Sequence, residues 1–80
     1  MTHTYHTHGT CSHSIDFEID DDGIIRSVRF NGGCPGNTSG IGALVVGMHK
    51  DEVIRRLSGI PCRGKVTSCP DQLARALAEV

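Results

Sequence analysis

The sequence predicts a small α+β fold in which an antiparallel β-hairpin, or a small sheet, packs against about three short helices. In the first half of the chain, a segment of alternating apolar and polar residues and a second β-rich run flank a turn rich in aspartate and glycine. In the second half, apolar residues recur at helical spacing in three short segments. The chain has 80 residues, and we expect residues 1–80 to form a single domain.

The hairpin is predicted from two runs that flank residues 20–23. In residues 14–20 apolar side chains alternate with acidic ones, which is the period of a strand with one buried face. Residues 20–23 supply turn formers, and residues 24–30 resume a β-rich pattern in which Arg26 and Arg29 can pair with the acidic side chains. Because two strands alone make a marginal sheet, we expect a further strand from the N-terminal segment or a homodimer.

Three short helices are predicted around and after the glycine-rich segment 31–42. The first ends around Gly47, the second covers residues 51–58 and stops at Gly59, and the third begins with Cys69 as its N-cap, because proline is favoured at the first helical position. Each helix has an apolar stripe that we expect to face inward. The stripes consist of Ile41, Leu44, Val45 and Met48; of Val53, Ile54 and Leu57; and of Leu73, Ala74, Leu77 and Val80.

Charge and hydropathy exclude two classes of partner. The net charge is -1 and the basic residues form no stripe, so we expect no direct binding of DNA or RNA. No apolar run approaches the ~20 residues of a membrane span, and the N-terminal residues are polar and rich in histidine, unlike a secretory signal. We therefore expect a cytoplasmic protein, in which thiols stay reduced and cysteines serve metal binding or redox chemistry.

Four cysteines are the predicted functional residues, and each lies at the boundary of a predicted element. Four thiolates complete a tetrahedral zinc site or the ligand set of an iron-sulfur cluster. The intervals of 22, 27 and 6 residues contain no C-x₂-C pair. The alternatives are small buried hydrophobic residues and a redox-active dithiol, for which the last two cysteines are nearest in sequence. The predicted metal ligands are Cys11, Cys34, Cys62 and Cys69.

The glycine-rich segment around Cys34 is a second candidate site. Its backbone N–H groups and hydroxyls can hold the phosphate of a flavin or nucleotide, and its other role is a flexible loop that lets Cys34 approach a metal. Four histidines near the N-terminus can supplement a metal site or remain solvated, and we favour solvation. The predicted cofactor-binding residues are Gly33, Gly36, Asn37, Thr38 and Ser39, and the histidines are His3, His6, His8 and His13.

Three blocks of sequence resemble one family. They are TSCPD at residues 67–71, GGCPGN at residues 32–37 and GIPC at residues 59–62. Over residues 5–80 the chain resembles the TSCPD domain family, in its small four-cysteine branch. Related domains stand at the C-terminus of adenosylcobalamin-dependent ribonucleotide reductases, so the resemblance implies a link to deoxynucleotide synthesis and a protein partner there. Eighty residues leave no room for the barrel and cofactor sites of a reductase, so we do not expect reductase activity from this chain by itself.

A weaker resemblance is to U-type iron-sulfur cluster scaffold proteins, through residues 28–44 and 65–77. It implies that Cys34, Cys62 and Cys69 converge at one end of the hairpin, with Cys11 added from the neighbouring strand. The chain departs from that family in having glycine and proline, and no aspartate, beside Cys34.

The leading hypothesis is a small non-catalytic module that binds zinc or an iron-sulfur cluster and is accessory to ribonucleotide reduction or to cluster handling. One alternative is a small redox protein that holds a flavin or nucleotide on the glycine-rich segment. The other is a dithiol adaptor of a ribonucleotide reductase that uses Cys62 and Cys69.

Overall fold

The structure is a computed structural model that describes residues 2–7, 9, 12–32, 35–60 and 67–80. Over these residues three strands are followed by three helices, which confirms the predicted α+β class. The strands are β1 (Thr2–His6), β2 (Ser12–Ile19) and β3 (Ile25–Gly32). The helices are α1 (Pro35–Val45), α2 (Lys50–Leu57) and α3 (Cys69–Ala78).

The three strands form one antiparallel sheet in the order β1-β2-β3. The predicted hairpin corresponds to β2 and β3, with Phe17 opposite Val28. The N-terminal segment adds β1 beside β2, with Tyr5 opposite Ile15, so the expected extension of the sheet is confirmed. Because side chains alternate across a strand, the apolar residues of β2 all lie on the face that the helices cover.

The turn between β2 and β3 is organised by the carboxylate of Asp20. Its Oδ1 accepts hydrogen bonds from the N–H groups of Asp22 and Ile24, at 2.9 and 3.0 Å. Its Oδ2 forms an ion pair with Arg26, at 2.7 Å, as the sequence predicted for that arginine. Gly23 has a φ of +82°, a left-handed conformation that favours glycine, so the turn chemistry inferred from the sequence is confirmed.

Helix α1 begins at Pro35, within the segment expected to be an irregular loop. Asn37, Thr38 and Ser39, whose residue types are favoured as helix N-caps, therefore lie inside the helix instead. Proline is compatible with the first helical turn, and packing of the helix on β3 offsets the cost of its glycines, which is about 1 kcal/mol each. The prediction that the apolar stripe of this helix faces inward is wrong at Leu44, which is 76% exposed.

Helix α2 agrees with its prediction within one residue at each end. His49 is its N-cap, and its Nδ1 accepts a hydrogen bond from the Asp51 N–H over 3.1 Å. Near the start of the helix, Glu52 pairs with both Arg55 and Arg56, with N–O distances of 2.6 Å. The two arginines are exposed.

Helix α3 begins at Cys69, but its N-cap is Ser68 and not Cys69. The Ser68 hydroxyl accepts a hydrogen bond from the Asp71 N–H over 3.2 Å, and a hydroxyl oxygen is a better acceptor there than a thiol. The expectation that Val80 faces inward is also wrong, because it is 41% exposed beyond the end of the helix.

The core lies between the sheet and the three helices. It consists of buried residues from β2, β3, α1, α2 and α3, which shows that every helix contributes to it. The members are Ile15, Phe17, Ile19, Ile25, Val45, Val53, Leu73, Ala76 and Leu77. Within the described residues, none of the helices has the length and apolar character needed to cross a membrane.

Candidate functional site

Of the four predicted metal ligands, the structure describes Cys69. It is the first residue of α3 and is partly buried. Cys11, Cys34 and Cys62 lie outside the described residues. Among the residues that are described, no group of three or more His, Cys, Asp and Glu side chains is arranged to hold a metal ion.

The described neighbours of Cys11 and Cys34 lie at one end of the sheet. Ser12, which follows Cys11, is paired with Gly32 across β2 and β3. Gly32 precedes Cys34 by two positions, and α1 begins directly after that cysteine. The strand pairing therefore joins the two stretches of chain that lead to these cysteines.

Two further contacts involve the stretches of chain next to Cys62 and Cys69. Gly9 lies so close to Thr67 that a Cβ on Gly9 would be 3.1 Å from Thr67 Cγ2. The Ser68 hydroxyl donates a hydrogen bond to the Ile60 carbonyl oxygen over 2.5 Å. The first contact joins the neighbourhoods of Cys11 and Cys69, since Gly9 and Thr67 each precede one of them by two positions.

A buried polar cluster surrounds the start of α3, and Asp71 is at its centre. Asp71 is 3% exposed, and its Oδ1 accepts a hydrogen bond from the Gly59 N–H over 2.7 Å. Its Oδ2 accepts hydrogen bonds from the Thr67 hydroxyl, at 2.6 Å, and from Arg75 Nε, at 3.0 Å. Gln72 completes the cluster, because its Nε2 donates to the Thr67 hydroxyl oxygen over 2.9 Å.

The electrostatics of this cluster keep Asp71 ionised. Burial on its own would raise the pKa of Asp71, because it disfavours the charged form. Hydrogen bonds from Thr67, from the Gly59 N–H and from Arg75 outweigh burial and bring the pKa below its ordinary value. A buried carboxylate with these partners is well satisfied, and it holds fixed the residues that donate to it.

The residues predicted to bind a cofactor are distributed along the first turns of α1. Gly36, Asn37, Thr38 and Ser39 belong to the helix, and Gly33 lies outside the described residues. Thr38 is buried, at 6% exposure, whereas Ser39 is exposed. These two residues therefore differ in their exposure to solvent.

Three of the four N-terminal histidines are among the described residues, and no three possible metal-binding side chains are grouped there. His3 stacks on Phe17, with ring centroids 5.3 Å apart. His6 and His13 are exposed, in agreement with the solvated alternative, and His8 lies outside the described residues.

A surface cleft of about 610 Å³ lies at the opposite end of the sheet, beside the turn after β2. His3, Asp20, Lys50 and Glu79 are among the residues that line it. It is thus separated from the end of the sheet where Ser12 and Gly32 pair.

Cys69 is predicted from the sequence as a site residue, but the side chains around it, above all Asp71, are not. Two local signals were present. Ser68 and Asp71 have the spacing of an N-cap and the acidic third residue of a helix, and Asp71 and Arg75 have the i, i+4 spacing of a helical ion pair. The hydrogen bonds that Asp71 accepts from Gly59 and Thr67 carry no such signal, because neither donor lies within α3.

The chain is similar to a known protein family. The family model described as TSCPD domain matches residues 1–80, which is the whole chain. Neither the curated proteins nor the solved structures contain a significant match.

Proposed function

The chain belongs to the TSCPD domain family, and we propose that it is a small metal-binding module in which Cys11, Cys34, Cys62 and Cys69 hold one zinc ion or one iron-sulfur cluster. Four thiolates suit either centre, because soft sulfur ligands favour zinc and iron-sulfur clusters over magnesium or calcium. In this role the protein supplies the metal ligands and fixes their arrangement, and it need not catalyse a reaction.

The observation that carries the proposal is a set of three contacts between residues close to the cysteines in sequence. Ser12 pairs with Gly32, a Cβ on Gly9 would be 3.1 Å from Thr67, and Ser68 bonds to Ile60. Each residue is within two positions of a cysteine, so each contact relates two of the four ligands. Together the contacts relate all four.

The position of Cys69 adds to this support. A thiolate at the first residue of a helix lies near the positive end of the helix dipole, which stabilises negative charge on metal-bound sulfur. Cys69 is also partly exposed, so a metal ion can approach it from solvent.

The test is metal analysis of protein purified without oxygen, combined with an absorption spectrum. We expect one zinc ion or one cluster per chain, lost in each of the four single Cys→Ser variants. His13→Ala is the matched control, because His13 is exposed near Cys11 in sequence and should leave the metal content unchanged. Metal-free wild-type protein whose four thiols all titrate without a chelator would contradict the proposal.

The same preparation separates the two alternatives. A yellow protein that releases a flavin or nucleotide on denaturation, with little metal, favours a cofactor held near the start of α1. A gain of two thiols on treatment with a reductant, lost when Cys62 or Cys69 is replaced, favours the dithiol adaptor.

We also propose that this module serves ribonucleotide reduction or the handling of clusters, in line with the family resemblance. The expected partner is an adenosylcobalamin-dependent ribonucleotide reductase. Sedimentation of the metal-loaded chain with such a reductase should reveal a complex, and the absence of a complex would favour a role in cluster handling.

A further inference from the structure

Helix α1 presents an uncharged face to solvent. A surface helix ordinarily carries charged side chains opposite the core, as α2 does with its acidic and arginine residues. Residues 30–49, which include α1, contain no aspartate, glutamate, lysine or arginine. The exposed residues of α1 whose side chains are described form a surface that we call the α1 face. They are Ser39, Gly40, Ala43 and Leu44.

Leu44 is the largest projection on the α1 face. Its side chain is 76% exposed, and Val46, just beyond the helix, is 46% exposed. A shallow groove of about 140 Å³ runs beside Leu44, between the end of α1 and α2. The α1 face therefore continues into a depression that is mostly apolar. The groove is lined by Leu44, Val45, Met48, Val53, Arg56 and Leu57.

Gly40 leaves a gap one helical turn before Leu44. Glycine inside a helix is less favourable than alanine, and Gly42 has a packing reason for it in the close approach of α1 to β3. Gly40 has no such reason, because a Cβ there would meet nothing within 4 Å outside the backbone of its own helix. The missing side chain at position 40 therefore serves no packing within the described part of the chain, and it leaves room for close approach from outside.

We propose that the α1 face is an interface with a second copy of this chain, in which Leu44 of each copy packs over Gly40 of the other. The two positions are four residues apart, so they lie one above the other on the same side of α1. In a two-fold dimer with antiparallel α1 helices, this projection and this gap fit each other twice, since residue i meets j and j meets i. The inference does not depend on the proposed function.

Charge favours a second copy as the occupant. A two-fold axis brings identical surfaces together, so any charge on the α1 face would meet its own like. The α1 face has none, and the guanidinium of Arg56 at the groove is already paired with Glu52, at 2.6 Å. A partner with a charged surface would instead lose the hydration of its charges without gaining a counter-charge from α1.

The size of the contact predicts weak association. Eleven residues make a helix roughly 16 Å long and about 10 Å across, which covers much less than the ~800 Å² per partner of a typical stable complex. We therefore expect a dimer with a Kd of roughly 10 to 300 µM. The folded monomer remains the main species at low micromolar concentration.

The first experiment measures association of the full chain, as purified, by sedimentation equilibrium from about 1 µM to 1 mM with a thiol reductant present. We expect a reversible dimer that Leu44→Ala weakens about tenfold or more. Val80→Ala is the control, because it shortens an exposed apolar side chain outside the α1 face, and it should leave the Kd within about twofold. A wild-type chain that stays monomeric, or a dimer that Leu44→Ala leaves intact, would overturn the inference.

An exchange of the two residues tests their pairing. Gly40→Leu should weaken association about tenfold or more, because it fills the gap that receives Leu44. Adding Leu44→Gly to the same chain reverses the positions of projection and gap, so association should return to within about threefold of wild type. Circular dichroism checks that the variants are folded. A folded double variant that associates no better than Gly40→Leu would overturn the pairing.

Amide chemical shifts locate the contact without a substitution. When the wild-type chain is diluted, the signals of residues 39–46 should change, because they leave the interface. The main competing surface is β1, an edge strand of the sheet that could pair with β1 of another copy. Changes confined to residues 2–6 would show that the copies associate through the edges of their sheets, and would overturn the inference.

Discussion

Gly42 of α1 packs directly on Val28 of β3, so that a Cβ on Gly42 would lie 2.9 Å from the Val28 carbonyl oxygen. Real Cβ atoms do not approach a backbone oxygen this closely, and the backbone of β3 is fixed by its pairing with β2. The missing side chain at position 42 therefore sets how closely α1 approaches the sheet. The helix that makes this contact begins directly after Cys34.

We predict that Gly42→Ala destabilises the protein by roughly 1–3 kcal/mol, because the methyl group forces α1 away from β3. Gly40→Ala in the same helix is the control, since Gly40 is exposed and a Cβ there meets nothing within 4 Å. Alanine at that position should stabilise by up to about 1 kcal/mol through helix propensity. Urea denaturation measures both, and equal stabilisation by the two variants would disprove the close contact.

A second prediction concerns the turn between β2 and β3. Asp20→Ala removes the acceptor for the N–H groups of Asp22 and Ile24 and the partner of Arg26. We expect the Tm to fall by roughly 5 °C, which for a domain of this size corresponds to a loss of about 1 kcal/mol in the free energy of unfolding. Asp21→Ala, in the same exposed turn, should change the Tm much less. Thermal unfolding followed by circular dichroism measures the Tm of both variants. Equal Tm values would contradict the role of Asp20.

A third prediction follows from Glu52, whose pKa is lowered to about 2 by hydrogen bonds from Arg55 and Arg56. Since the folded pKa lies below the ordinary value of 4.5, the stabilisation is complete above about pH 4.5 and is lost as the pH falls toward 2. Glu52→Gln should therefore be less stable than wild type at pH 7, by an amount that shrinks on acidification. The effect should be small and weaker in high salt, because the pairs are exposed.

The control for this prediction is the double variant Arg55→Gln, Arg56→Gln. Without its two partners Glu52 should titrate near its ordinary range, and adding Glu52→Gln should no longer produce the difference that shrinks between pH 4.5 and 2. Urea midpoints at several pH values measure all four proteins. If Glu52→Gln has the same pH-dependent effect on stability in the double variant as in wild type, these ion pairs are not its cause.

A fourth prediction compares one substitution at two leucines. Leu77 is fully buried in the core on α3, whereas Leu44 on α1 is 76% exposed. Leu77→Ala should cost about 2–5 kcal/mol, because it loses apolar contacts and leaves a cavity. Leu44→Ala should change the stability by less than about 0.5 kcal/mol. Comparable losses at the two sites, measured by urea denaturation, would show that Leu44 is covered in solution.

The cysteine site is predicted from the chemistry of four thiolates and from their positions at the boundaries of predicted elements. Local sequence adds little to that prediction, because the cysteine spacing contains no C-x₂-C pair. Cys69 at the start of a helix was recognised from the proline that follows it. Its cap was assigned to the wrong residue, because Ser68 satisfies the cap with a hydroxyl. The role of Asp71 was not predicted, since its partner Gly59 is twelve positions away.

The features that the amino-acid pattern predicts correctly are those that repeat within a few residues. Alternation with a period of two gave the strand that became β2, the aspartate and glycine turn gave the hairpin, and the stripes of α2 and α3 gave their buried faces. Side-chain periodicity is a property of each element taken alone, so it is legible before the elements meet.

Three features depend on packing between elements: the beginning of α1, the exposure of Leu44 and the cluster around Asp71. A run of glycines favours no helix by itself, and it is the fit of Gly42 against Val28 that accommodates one. The contacts of Gly9 with Thr67 and of Asp71 with Gly59 likewise join stretches that are distant in sequence. Such contacts depend on how packed elements are placed relative to one another, and that placement has no local pattern.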